Sequence, residues 1–141
     1  MRRGLTLPEL MCVVAIVGLT AAVAIPPLVH TLDRIAVDET TDRYAVMHEA
    51  TRQLAIARAT LARLEVDTAR KRVTLSVSGG AGWDTVDVRS LGTTHIATSQ
   101  PVVTFSPLGD AWGLSNTTII ATRGAVAETL TVSRTGRLKR S

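Results

Sequence analysis

Two sets of residues in this chain have the types and spacing to do chemistry. One is Glu9, a carboxylate at the edge of an apolar run. From Leu10 to Leu32 there is no Asp, Glu, Lys or Arg. A charged carboxylate entering lipid costs about 2.5–3.5 kcal/mol on insertion scales. Glu9 therefore calls for a cationic partner, and no Lys or Arg lies three or four residues from it along a helix. The other set is the basic ending, Arg134, Arg137, Lys139 and Arg140. Lysine and arginine on a short terminal segment can reach phosphates, which makes nucleic acid a candidate partner. A solvated tail is the plain alternative.

The remaining reactive side chains point to no catalysis. His30, His48 and His95 are far apart and lack the paired spacing of a metal site. Gly79, Gly80 and Gly82 lack the Lys-Ser/Thr ending of a phosphate-binding loop and read as a turn. Cys12, the single cysteine, sits in an apolar run, which favours a buried, inert thiol, and it excludes an intrachain disulfide. Asp84 and Asp87 are three apart on an expected strand, so they should face opposite ways. The expectation is no enzyme, no catalytic residue, no metal and no cofactor.

The elements that must position Glu9 and the basic ending follow from patterning. At 141 residues there is room for one domain and an anchor. Only 3% of residues are aromatic, so the core must be built mainly from Val, Ile, Leu and Ala. The net charge of +4 sits at the ends: between Leu5 and Ser133 the balance is −2. Met11 to Ile25 is almost wholly apolar, and with its neighbours it supplies the roughly 20 residues a helix needs to cross a bilayer. Arg2 and Arg3 on its N-terminal flank would keep that end in the cytoplasm.

Pro26-Pro27 is expected to end or kink this helix. Beyond it, Met47, Ala50, Leu54, Ala57, Leu61 and Leu64 recur at intervals of three and four, which predicts an amphipathic helix. After Val66 the pattern turns to short alternating segments. It predicts antiparallel strands over Arg72 to Ser78, Thr85 to Ser90, Val102 to Ser106, Thr117 to Thr122 and Glu128 to Arg134. The fold class is α+β: a long N-terminal helix, transmembrane in its first half and amphipathic in its second, packed on a small antiparallel sheet.

Gly4-Leu5-Thr6-Leu7-Pro8-Glu9-Leu10 resembles the processing site of type IV prepilins. Leu5 stands where Phe is usual and Pro8 where an aliphatic residue is frequent. Pro8 would be the fourth residue after cleavage, where the backbone N–H has no intrahelical acceptor. The resemblance implies that prepilin peptidase cuts between Gly4 and Leu5 and methylates the new terminus. It also implies that Glu9 neutralises a neighbouring subunit's terminal amine during assembly. Val103-Thr104-Phe105-Ser106-Pro107-Leu108-Gly109 and the ending Ser133 to Leu138 are similar to minor pseudopilins of the GspH/FimT group. FimT-type pilins are associated with DNA capture through a Gly-Arg-x-Arg motif, where this chain has Lys139 in the last place; lysine keeps the charge and loses the fork.

Together these imply a leader over residues 1–4, a transmembrane helix over 5–29, an amphipathic continuation over 30–65 and a periplasmic β-rich domain over 66–141. The chain would be a minor pilin or pseudopilin of a type II secretion or type IV pilus machine, in the bacterial inner membrane with its N-terminus cytoplasmic. Its partners would be prepilin peptidase, other pilin or pseudopilin subunits and the membrane. The alternatives are a DNA-binding minor pilin of an uptake system and a membrane-anchored protein outside the filament family. A general secretory signal peptide, with Met11 to Leu19 as its apolar part and Ala22-Val23-Ala24 as its cleavage motif, is a further reading of the N-terminus.

Overall fold

The structure, a computed structural model, describes residues 6–113 and 116–141, the side chain of Pro26 excepted. They fall into two compact units, Met1–Leu32 and Asp33–Ser141. The first helix, α1, spans Leu7–Ala57. In the first unit it is apolar, long enough to cross a membrane, and its large hydrophobic side chains from Leu7 to Leu32 are exposed. The helix does not end at Pro26-Pro27. Each proline removes one donor, and the helix-forming turns on either side continue.

In the second unit α1 meets two antiparallel sheets. The strands are β1 (Ala62–Asp67), β2 (Arg72–Gly79), β3 (Gly82–Ser90), β4 (His95–Thr98), β5 (Val102–Phe105), β6 (Ala111–Trp112), β7 (Thr117–Arg123), β8 (Val126–Val132) and β9 (Leu138–Arg140). One sheet has the order β3-β2-β1-β5-β6 and the other β4-β7-β8-β9. The expected helix-on-antiparallel-sheet architecture holds, with two sheets in place of one.

Register puts apolar residues opposite one another: Leu64 pairs with Leu75 and Val103, and Ile119 with Leu130. These residues are buried together with Val66, Val73, Val77, Phe105 and Val132. Burying each such side chain is worth about 1.5–3 kcal/mol. β3 differs: it lies at a sheet edge, and every residue but Asp87 is exposed.

The helix ends earlier than expected. Ala59 takes a left-handed conformation, φ 48°. Its N–H donates to the Ile56 carbonyl and the Thr60 N–H to the Ala55 carbonyl, each at 3.2 Å, the bond pair of a Schellman stop. Residues 62–65, read as helix from sequence, begin β1 with alternate residues buried.

The buried helix face also differs from the stripe read in the sequence. Met47 of that stripe is buried and Leu54 packs against the core, but Ala50 and Ala57 are exposed, and the other residues turned inward are Val37, Thr40, Thr41, Tyr44, His48, Thr51 and Ala55. Thr41 and Thr51 fit there because their hydroxyls donate to the carbonyls of Val37 and Met47, one turn back. Thr40 reaches across to the Leu91 carbonyl at 2.8 Å and to the Thr94 hydroxyl at 2.8 Å, tying α1 to the β3–β4 connection.

Candidate functional site

At the N-terminal end, Gly4 and Leu5 lie outside the described residues, as do Arg2 and Arg3. The first described turn shows how Glu9 is held. Thr6 precedes the helix, and its backbone N–H and its hydroxyl each donate to one Glu9 carboxylate oxygen, at 2.9 Å. Thr6-Leu7-Pro8-Glu9 thus makes one half of a capping box: the third helical residue reaches back to the amide of the cap, while the Thr6 hydroxyl donates to the same carboxylate oxygen. The cationic partner expected for Glu9 is absent among the described residues, and Thr6 supplies donors in its place. The Thr-x-x-Glu spacing carried that signal, overshadowed by the leader resemblance.

The basic ending is not an unstructured tail: it forms the turn after β8 and the short strand β9, with Arg134, Arg137 and Lys139 still exposed. β9 pairs with β8 in the register Leu130↔Arg140, Thr131↔Lys139 and Val132↔Leu138. The hairpin turns at Gly136, whose φ of 73° favours glycine. A Cβ there would come within 3.0 Å of the Phe105 ring and 3.2 Å of the Gly109 carbonyl. The turn is therefore pressed against the Ser106–Asp110 loop, which Arg52 also holds, donating from Nε to the Gly109 carbonyl at 2.8 Å.

Arg134 and Arg137 lie in the turn, and alternation along β9 separates Lys139 from Arg140. Arg140 points to α1, where its guanidinium meets Asp42 at 2.7 Å, Asp38 at 3.2 Å and both oxygens of Glu128. Asp38 and Asp42 are one helical turn apart, so a single fork spans them. Arg134, Arg137 and Lys139 are exposed and form no ion pair among the described residues. Of the four cations named from the sequence, one is engaged within the fold and three are free. The sequence did carry a signal for the engaged one, Asp38 and Asp42 at helical spacing, but nothing in it linked them to Arg140.

A groove of about 860 Å³ lies between α1 and the edge strand β3. Ile35, Val46, Met47 and Ala50 supply its apolar lining, and Asp38, Glu39, Asp42, Arg43, Asp87 and Arg89 its charged one. Arg43 pairs with Glu39 at 2.5 Å and Arg89 with Asp87 at 2.9 Å. An irregularity in the β2–β3 register leaves Asp84 opposite Val77 and Asp87 opposite Leu75, so the simple alternation expected to turn the two aspartates to opposite faces does not hold; Asp84 lies over Gly79 and Asp87 pairs with Arg89.

His48 is buried between Tyr44 and Phe105, its ring edge-on to Phe105 at 5.0 Å between centroids. Its Nε2 and the Tyr44 hydroxyl have no hydrogen-bond partner among the described residues. Burial lowers the His48 pKa to about 4, with Glu49 opposing and Arg52 adding to the shift. Burial likewise pushes the Tyr44 phenol up. His30 and His95 are exposed on α1 and β4, and no three His, Cys, Asp or Glu side chains converge as metal ligands among the described residues.

No family profile matches the chain, and no curated protein matches it at a significant level. Solved structures do resemble it. The type IV minor pilin FimU of Pseudomonas aeruginosa superposes with a TM-score of 0.61 at 15% identity, over 82% of this chain and 92% of FimU. The minor pseudopilin EpsH of the Vibrio cholerae type II secretion system gives 0.62 at 12% identity, over 77% of this chain and 94% of EpsH. Escherichia coli GspH gives 0.61 at 13% identity, over 76% and 88%. The fold of this chain is that of minor type IV pilins and minor type II pseudopilins.

Proposed function

We propose that the chain is a minor pilin or pseudopilin subunit, anchored in the bacterial inner membrane and assembled into, or priming, a filament of a type IV pilus or type II secretion machine. The observation that carries this reading is one helix, Leu7–Ala57, whose first part is apolar and uncovered and whose second part packs on the sheets of a minor-pilin fold. In this reading the protein is a structural subunit and not a catalyst. Prepilin peptidase cuts between Gly4 and Leu5, the new terminus is methylated, and the domain that follows the helix lies in the periplasm. Glu9 then meets the terminal amine of a neighbouring subunit. Its capping-box bonds to Thr6 hold the carboxylate at the helix start until that amine replaces them.

DNA capture at the C-terminal cations ranks second, because Arg140 is shared among Asp38, Asp42 and Glu128. The test of the filament reading is mass spectrometry of protein extracted from the membrane. The mature N-terminus is expected at Leu5, methylated, with the apolar helix retained. A terminus at Ile25, after the small-residue motif, overturns it. Glu9→Ala is expected to leave the protein membrane-inserted and folded, with its incorporation beside other subunits reduced at least tenfold.

A further inference from the structure

Three connections of the second unit meet at one of its ends. The chain enters this unit at Asp33, directly after the exposed apolar residues that run to Leu32. Asp33 accepts from Arg123 Nε at 2.9 Å, and a Cβ on Gly124, whose φ is 57°, would run into its carboxylate. The β7–β8 turn therefore lies against the start of α1 in this unit. Arg123 also donates to the Thr93 hydroxyl at 2.8 Å, and Lys71 Nζ donates to the Thr93 carbonyl at 3.0 Å. Thr93 thus ties together the β1–β2 turn, the β3–β4 connection and the β7–β8 turn. The β2–β3 turn is at the opposite end, where the Ser78 N–H donates to the Leu61 carbonyl just past the stop of α1.

The end that carries Asp33 is cationic. Arg70 and Lys71 come from the β1–β2 turn, Arg72 from the start of β2, Arg123 from the end of β7, and Arg34 follows Asp33 on α1. Among the described residues two carboxylates pair with them: Asp67 with Arg70 and Arg72, at 3.6 and 3.9 Å, and Asp33 with Arg123. Five cations against two carboxylates leave this end at +3. The cations also lie outermost. The side chains of Arg70, Arg72 and Arg123 are 73%, 46% and 41% exposed, those of Asp67 and Asp33 only 32% and 17%. A partner approaching from outside meets guanidinium groups before carboxylates.

We infer that this end of the second unit is a docking surface for anionic lipid headgroups of the membrane that holds the apolar helix. Position argues for that occupant, because the chain passes from the apolar span to this cationic end within one residue, Leu32 to Asp33. Each Lys or Arg near an anionic membrane surface is worth about fivefold in binding, and the attraction fades within a Debye length. The planar guanidinium fork also matches the oxygens of a phosphate. The inference rests on the membrane-anchored reading and adds that the domain is seated on the bilayer instead of swinging free on its tether.

The test uses the full-length chain, reconstituted at a low protein-to-lipid ratio into vesicles of phosphatidylcholine, alone or with about one third phosphatidylglycerol. Cys12 is the single cysteine, so Cys12→Ser clears the background for a fluorophore at Thr68→Cys, in the β1–β2 turn, or at Ala81→Cys, in the β2–β3 turn. A lipid with a nitroxide on its headgroup is the quencher. Phosphatidylglycerol is expected to raise quenching of the Thr68→Cys label at least threefold, high salt to reverse the rise, and the Ala81→Cys label to stay unchanged. Arg34→Glu with Arg70→Glu should remove the rise, and Arg34→Lys with Arg70→Lys should keep it. Should the glutamate pair fail to fold, the lipid and salt dependence of the otherwise unmutated chain decides. Equal quenching in the two lipids, a rise that salt does not reverse, or an equal rise at both labels overturns the inference. So does a rise seen only at a high protein-to-lipid ratio, which assigns the cations to a neighbouring subunit. If the chain floats with the vesicles and shows no rise, the docking surface fails and the membrane-anchored reading stands. A chain that does not float with them overturns the anchored reading itself.

Discussion

At the scale of single residues, the buried His48 makes stability depend on pH. Its pKa falls from 6.5 to about 4 on folding. The unfolded chain therefore binds a proton at a pH where the folded chain does not. The part of the stability linked to His48 is fully present above pH 6.5, declines as pH falls, and is lost by about pH 4. A shift of this size corresponds to about 3 kcal/mol. Urea unfolding at pH 7 and pH 4.5 should show the decline, and His48→Leu should shrink it by about 2 kcal/mol relative to the unmutated chain. Equal pH dependence in the two proteins would show that His48 is not the group responsible. His48 was read from the sequence as one of three unremarkable histidines, because its neighbour Phe105 is brought to it only by the packing of β5 on α1.

At the scale of elements, the end of α1 is decided by Ala59, which holds a left-handed conformation that costs an L-residue with a Cβ about 1–2 kcal/mol. Glycine pays no such steric penalty, though it enlarges the entropy of the unfolded chain. Ala59→Gly is therefore expected to stabilise the second unit by about 0.5–1 kcal/mol, raising its thermal midpoint by a few degrees. A lowered midpoint would mean that the Schellman stop is not under strain. This end was hidden in the sequence for the same reason: with Ala in place of Gly, no stop signal interrupts the three-and-four spacing that runs on to Leu61 and Leu64. Leu64 is in fact on β1, where alternate residues are buried against β2 and β5. The strands β6 and β9 escaped the pattern because two or three residues cannot establish a period of two, and the four-residue β4 was also not read. The five strands that were expected exist, with ends shifted by a few residues.

At the scale of the whole molecule, the buried core from Val37 to Val132 lies entirely within Asp33–Ser141. A fragment comprising these residues is expected to be soluble without detergent and to unfold in one cooperative transition by circular dichroism. Broad, non-cooperative melting would show that the second unit depends on the first. What the sequence by itself determined is whatever local order can encode: an apolar span long enough for a bilayer, a leader-like motif around Gly4 and Glu9, strands at alternating positions, and hence the α+β class. What only the tertiary structure decided is which face of α1 turns inward and which basic residues are free. Thr41 and Thr51 look polar, yet they are buried because their hydroxyls donate to the helix's own backbone, and Tyr44 and His48 are buried through their rings, which pack together and against Phe105. Arg140 looks like its neighbours Arg137 and Lys139. It differs because β9 alternation turns it toward Asp38 and Asp42, about a hundred residues earlier in the chain, and no sequence period reaches across that separation.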